Sequence, residues 1–342
     1  MSHYNSYTSF KTKKSLEKKS LAKQNKKVKL PNDFLIAKSS NYGIVLEVRY
    51  EKAYVLYNDE IIIASLRKGI NTVCNKIIFP GDKVVISKNN QIFTITNLLK
   101  RTSLLSRLKK DGSRLNDLGI EKSVAANIDI AVIVVSAKDP ALHPKFIDRY
   151  LLLLENSNIP VLICLSKADL KTKETETILN IYRNLGIEVI ETSTYTNEGI
   201  SKLKEELNGK QAILVGQSGV GKSSLTNTLM ESIDIKTSNI STKSKKGRHT
   251  TTSSKYYIWN ESSSIIDTPG IRSLDVSSFE PLEVQTYFKE FSNLKEKCKY
   301  KDCLHYKEPI DDCIVKQNVE NNFINRSRYE SYLRILKNIL ND

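Results

Sequence analysis

Apolar and polar positions change rhythm several times along this chain of 342 residues. Its first thirty positions carry Lys11, Lys13, Lys14, Lys18, Lys19, Lys23, Lys26, Lys27 and Lys29 among few large apolar side chains. Such a stretch buries too little surface to offset chain entropy, so residues 1–34 read as a basic, disordered arm. Short β-branched and alternating runs then take over at residues 43–48, 53–57, 60–64, 82–86 and 92–98, punctuated by Asn58-Asp59 and Pro80-Gly81-Asp82. A period of two broken by turn residues predicts strands, and five short strands predict a small barrel over residues 35–107, with the OB-fold as the best fit. Some other small barrel or bent sheet without a ligand is the alternative, because strand count does not prove a binding face.

From residue 108 to 278 the rhythm alternates between strand and helix. Apolar runs at 128–135, 160–165, 188–191, 211–215 and 264–266 are strands, while 145–156, 174–185 and 200–207 have helical spacing. This alternation predicts a parallel, doubly wound α/β sheet, whose ligands sit beyond the carboxyl ends of its strands. Residues 279–342 close the chain with an amphipathic basic helix from Arg326 to Leu336. In it Tyr329, Tyr332, Leu333 and Leu336 form a core-facing stripe, while its arginines stay open to other roles.

Composition narrows the partners. At this length, with 39% apolar residues, two or three folded domains are expected. A formal charge of +15 favours an anionic partner, nucleic acid before membrane. No run reaches the roughly 20 apolar residues of a membrane span, and the polar stretch from Met1 to Lys14 lacks the core of a secretory signal. A cytoplasmic protein is expected. The five cysteines suggest no disulfide framework.

Three motifs follow three of the strands, which is where a doubly wound sheet needs them. Gly216-Gln217-Ser218-Gly219-Val220-Gly221-Lys222-Ser223-Ser224 follows the strand at 211–215. Its glycines let the backbone aim N–H groups at phosphate oxygens, Lys222 suits the β- and γ-phosphates, and Ser223 suits Mg²⁺. Asp267-Thr268-Pro269-Gly270 follows 264–266. Asp267 would hold Mg²⁺ through water, and the Gly270 N–H would sense the γ-phosphate. Ser166-Lys167-Ala168-Asp169 follows 160–165. Asp169 can accept both N1–H and N2–H₂ of guanine, and Lys167 can lie over the ring. GTPases usually hold Asn at the position of Ser166, so one hydrogen bond to the base is lost or rerouted here. Thr192-Ser193-Thr194 is a weaker candidate for a contact to guanine O6.

The order of these motifs is reversed relative to a Ras-like domain, in which the phosphate loop comes first and the base-reading Lys-x-Asp comes late. Base, then phosphate, then Asp267 is the order of a circularly permuted P-loop GTPase. Between the phosphate loop and Asp267 lies Lys245-Lys246-Gly247-Arg248-His249-Thr250-Thr251-Thr252, in the place of a first switch. Thr251 is the candidate to complete the Mg²⁺ shell. Ile271 stands where Ras-like enzymes hold a water-orienting Gln, and an aliphatic chain cannot orient water. His249 is the nearest substitute, an ordinary loop histidine being the equal alternative. Further along, Cys298-x4-Cys303-x-His305-x7-Cys313 suits one tetrahedral, closed Zn²⁺ site that would staple a segment lacking a large core.

Taken together, the barrel, these motifs, the Gly-Arg-His-Thr-Thr-Thr run and the Cys/His cluster resemble the ribosome small-subunit-dependent GTPase A family over about residues 35–340. The resemblance implies a GTPase, monomeric and free of membrane, that binds the small ribosomal subunit and its rRNA late in maturation. It would hydrolyse GTP to GDP when stimulated there, and leave. The resemblance further implies a catalytic role for His249, beside Lys222 and Thr251. Two departures stand out: Ser166, and a longer gap between His305 and Cys313 than is usual. Two other classes, a P-loop ATPase acting on nucleic acid and a non-catalytic rRNA-binding scaffold, differ in base preference and turnover. The second switch leads from Ile271 straight into the zinc segment, so Gly270 can bias the position of an RNA-facing module.

Overall fold

The computed structural model describes residues 42–49, 52–66, 78–107, 122–231, 255–260, 262–267, 276, 279–292 and 294–341. The basic arm, His249, Thr251, Gly270 and Ile271 lie outside the described residues.

Five strands, β1 (Gly43–Arg49), β2 (Lys52–Tyr57), β3 (Glu60–Leu66), β4 (Lys83–Asn89) and β5 (Ile92–Leu98), form a closed barrel in the order β1-β2-β3-β5-β4. Alternate residues turn inward, so Val45, Ala53, Val55, Ile62, Ala64, Val84 and Ile95 fill its interior. The β2–β3 turn is Asn58-Asp59, with φ of 49° and 60°. Both values suit the two-residue hairpin turns whose twist matches the flanking strands. Asp82 is fully buried at the barrel's edge because Arg101 neutralises it, Nε donating to Oδ1 at 2.7 Å and Nη2 to Oδ2 at 2.8 Å.

Two strands that the hydrophobic pattern does not predict, β6 (Leu104–Arg107) and β7 (Lys122–Ala126), pair antiparallel beyond the barrel. Next comes a six-stranded sheet, built from β8 (Ile130–Ser136), β9 (Val161–Ser166), β10 (Glu188–Glu191), β11 (Gln211–Val215), β12 (Lys255–Ile258) and β13 (Ser264–Asp267). Its order is β10-β9-β8-β11-β13-β12. The five strands expected from the hydrophobic pattern are parallel, and a sixth that it does not predict, β12, is added at one edge antiparallel to β13. An antiparallel edge strand is common on otherwise parallel sheets, and this one has a short run whose direction the hydrophobic pattern does not encode.

Helices cover both faces. Along β8, Ala131, Ile133 and Val135 face α1 (Pro144–Asn156) and α2 (Lys173–Asn184), which contribute Ile147, Tyr150, Leu154, Leu179 and Tyr182. The alternate residues Ile130, Val132 and Val134 face α3 (Ile200–Leu207) and α4 (Lys222–Glu231), through Ile200, Leu203, Leu207, Leu225 and Leu229. Burial on both sides explains why β8 is a continuous apolar run. Pro144 opens α1 where a missing N–H costs nothing, and the Thr172 hydroxyl caps α2 by accepting from Thr175 N.

Short helices α5 (Pro281–Val284) and α6 (Lys289–Ser292), with α7 (Ile314–Glu320) and α8 (Arg326–Leu340), build the C-terminal unit. Tyr332 and Leu336 are fully buried, while Tyr329 and Leu333 are half-buried against the same core, as the predicted stripe requires. The core also takes Leu152 from α1, so the unit packs on the outer face of a helix of the sheet domain.

Candidate nucleotide and metal sites

Because β9, β8, β11 and β13 are mutually parallel, their carboxyl ends lie along one edge of the sheet. That edge collects the motifs. The phosphate loop runs from the end of β11 into α4, and its Gly216, Gly219 and Gly221 have φ of 148°, 83° and 93°. Gly216 has no possible substitute, since a Cβ there would sit 2.2 Å from the Val134 carbonyl oxygen. Lys222 is buried and folds back across the loop, its Nζ donating to the carbonyls of Gly216 at 2.7 Å and Gln217 at 2.6 Å. Ser223 and Ser224 are exposed in the first turn of α4, at the positive end of its dipole. Asp267 ends β13 directly beside β11, in register with Leu214.

The second loop leaves β9. Lys167 takes a left-handed conformation, with φ of 54°, and the chain then makes a 3-10 turn over Ala168–Leu170. This bend carries the Lys167 side chain toward the phosphate loop, where Nζ donates to Asp139 O at 2.5 Å and reaches Gly219 O at 3.4 Å. Asp169 is exposed, and its Oδ1 accepts from the Ser193 hydroxyl at 2.5 Å. Ser193 is itself buried and accepts from the N–H groups of Tyr195 and Thr196. The segment at 192–194 thus braces the carboxylate, a contact that its weak motif did not suggest. Ser166 is turned away from this exposed side, with its hydroxyl 2.5 Å from Val220 O and 3.0 Å from Val135 O.

In the C-terminal unit, Sγ of Cys298, Cys303 and Cys313 and a ring nitrogen of His305 all lie within 4.8 Å of one another. Nδ1 of His305 is 3.7, 3.2 and 3.3 Å from the three sulfurs. Ligands on one tetrahedral Zn²⁺ would be separated by about 3.6 Å, given usual Zn–S and Zn–N lengths. Burial pushes the His305 imidazole down to about 4, which keeps it neutral with a free lone pair for a metal. Burial above all, and then the neighbouring thiols, raises Cys303 well above the usual thiol range and raises Cys313 as well. A cation among them would reverse that preference and hold them as thiolates. On the far side of the ring, His305 Nε2 lies 2.8 Å from Oε1 of the buried Gln285. An N–H donated to Gln285 leaves Nδ1 facing the sulfurs, an outer partner of the kind metal-binding histidines need. Nothing in the sequence singled out Gln285, because it lies 20 positions from its partner.

The chain is similar to known proteins over most of its length. The profile of the RsgA GTPase family matches residues 98–277. A small ribosomal subunit biogenesis GTPase RsgA of Flavobacterium johnsoniae is 39% identical over 218 residues, 63% of this chain and 66% of that protein. The protein of the same name from Borreliella burgdorferi is 36% identical over 291 residues, 83% of this chain and 91% of its own. Among solved structures, YjeQ from Thermotoga maritima superposes with a TM-score of 0.68 at 30% identity, covering 88% of this chain and 99% of that one.

Proposed function

The chain belongs to the RsgA GTPase family and is a GTP-hydrolysing enzyme of ribosome biogenesis; on that premise we propose that it binds the small ribosomal subunit, through its rRNA, and that GTP hydrolysis drives its release. One observation supports this most: despite their reversed order in the chain, the base-reading and phosphate loops meet, with Lys167 Nζ reaching the Gly219 carbonyl. In this reading, permutation has changed the connections and kept the site.

In this reading GTP lies along the edge formed by β9, β11 and β13. Residues 216–224 hold its phosphates, with Gln217, Ser218, Gly219, Val220, Gly221 and Ser224 supplying backbone and hydroxyl contacts. Lys222 exchanges its two loop carbonyls for the β- and γ-phosphates. Lys167, Ala168 and Asp169 hold the base, the Asp169 carboxylate already oriented by Ser193. The hydroxyl of Ser223 and the carboxylate of Asp267 are hard oxygen donors, and with Thr251 they would hold Mg²⁺, which supplies charge neutralisation at the phosphates. Gly270 senses the γ-phosphate. His249 orients the attacking water in place of the side chain that Ile271 lacks. One structural Zn²⁺, held by Cys298, Cys303, His305 and Cys313, would tie the C-terminal segment together.

The net charge of +15 supports rRNA as the docking surface. Among the described residues no helix is long and apolar enough to cross a membrane. We place the protein in the cytoplasm, acting as a monomer. Phosphate release from GTP, measured with small subunits, large subunits and no ribosome, is the test. Acceleration by small subunits alone is expected; equal rates in all three mixtures would remove the ribosomal part of this reading.

A further inference from the structure

Ser166 is the one base-loop residue whose side chain the structure turns under the loop and away from its exposed side. It is the last residue of β9 and is 4% exposed. Its Oγ lies 2.5 Å from the Val220 carbonyl of the phosphate loop and 3.0 Å from the Val135 carbonyl of β8. A hydroxyl carries one hydrogen, so these two acceptors consume its donor capacity. On a second side Ser166 faces Gly221, where an added Cβ would meet its Oγ and Cβ only at ordinary contact, 3.6 and 3.7 Å. The left-handed turn at Lys167 then separates the two roles, sending Lys167 and Asp169 to the exposed side and leaving Ser166 beneath.

Guanine offers donors at N1 and N2 and acceptors at O6 and N7. A side-chain amide at position 166 would carry two donor hydrogens, enough to serve a loop carbonyl and the base together. A serine hydroxyl cannot do both. We infer that this chain leaves guanine N7 unread, and that Ser166 is instead a positioning residue tying the phosphate loop to β8 and β9. Base selection then falls on the N1/N2 edge through Asp169. This rests on the guanine-nucleotide reading of the site and adds to it which edge of the base is recognised.

The experiment is competition binding to the full-length protein with Mg²⁺, using GDP, 7-deaza-GDP, IDP and ADP. 7-Deaza-GDP replaces N7 by C–H and alters nothing else at the recognition edges, while IDP lacks the N2 amino group. GDP and 7-deaza-GDP should bind within about twofold of each other, and IDP should bind about tenfold weaker. In Ser166→Ala, GDP and 7-deaza-GDP should both weaken by a common factor of about five, the consequence of one buried carbonyl losing its donor. A 7-deaza-GDP affinity about tenfold below that of GDP in the parent protein overturns the inference, and this comparison decides even if Ser166→Ala does not fold. Unchanged affinity for both nucleotides in a folded Ser166→Ala overturns the tethering role. If GDP does not bind, or ADP displaces it equally well, the guanine reading itself has failed, a result distinct from a loss confined to the 7-deaza analogue.

Discussion

Single side chains in this protein act through what surrounds them. Lys222 is held over its loop by two carbonyls, so its ammonium is already in place before phosphate arrives. Lys222→Ala removes a charge that faces ligand and leaves the hydrophobic core intact. GTP turnover should fall at least about a hundredfold with the melting temperature kept, as expected for a lost charge at a phosphoryl-transfer site; unchanged turnover would remove the phosphate-loop assignment. Gln285 acts on the metal cluster at one remove. In Gln285→Leu the ring of His305 loses its orienting acceptor, and Zn²⁺ affinity measured by chelator competition should drop about 10- to 100-fold. A preparation of the parent protein without about one Zn²⁺ per chain would refute the metal assignment altogether. Cysteine and histidine spacing made the four-residue cluster legible in the sequence; the amide behind it was not, because its position along the chain says nothing of its position in space.

Packing between elements decides how the C-terminal unit is carried. Arg328 on α8 is 3% exposed, ion-paired to Asp148 of α1 and to Glu290 of α6, the latter through Nε at 2.7 Å and Nη2 at 3.1 Å. Its guanidinium also stacks over the Phe288 ring, 4.5 Å from the centroid. Burial raises the carboxyl of Asp148 above its ordinary range even with Arg328 opposing the shift, so this charge is tolerated only because it is paired. Arg328→Met leaves the carboxylate buried without its partner and should cost about 3–5 kcal/mol in urea unfolding. Combining it with Asp148→Asn should recover much of that loss, and strict additivity of the two changes would show that the pair is not coupled. The apolar stripe of α8 could be read from its spacing. Which arginine of that helix is structural could not, because the choice depends on the acidic residues that α1 and α6 bring to it.

At the scale of the whole molecule, barrel, sheet and C-terminal unit are joined at defined points. The barrel is fastened to the segment that leads into the sheet by Asn127, whose Nδ2 donates to Gly81 O at 2.8 Å, and by Ala126, whose N–H donates to Pro80 O at 3.0 Å. The C-terminal unit is fixed to α1 by Arg328. With Ile271 unable to orient water, the isolated protein should hydrolyse GTP slowly and the small subunit should supply the acceleration. His249→Ala should keep GTP and subunit binding and lose the stimulated rate. Full stimulation in that variant would move the role to another group, and lost GTP binding would make His249 structural.

What the sequence determined by itself was local or chemical. Period-two runs specify barrel strands, an apolar stretch specifies β8, glycines at 216, 219 and 221 specify a phosphate loop, and closely spaced sulfur and nitrogen ligands specify a metal cluster, since each depends on residues near one another in the chain. Tertiary structure alone decided the antiparallel direction of β12, the pairing of β6 with β7, the brace of Ser193 on Asp169, the descent of Ser166 beneath the phosphate loop, and the partners of Gln285 and Arg328. The side-chain contacts among these join segments 20 to 180 positions apart. Hydrophobic periodicity tells a residue which way to face, but only the packing of the sheet and helices determines what it meets there.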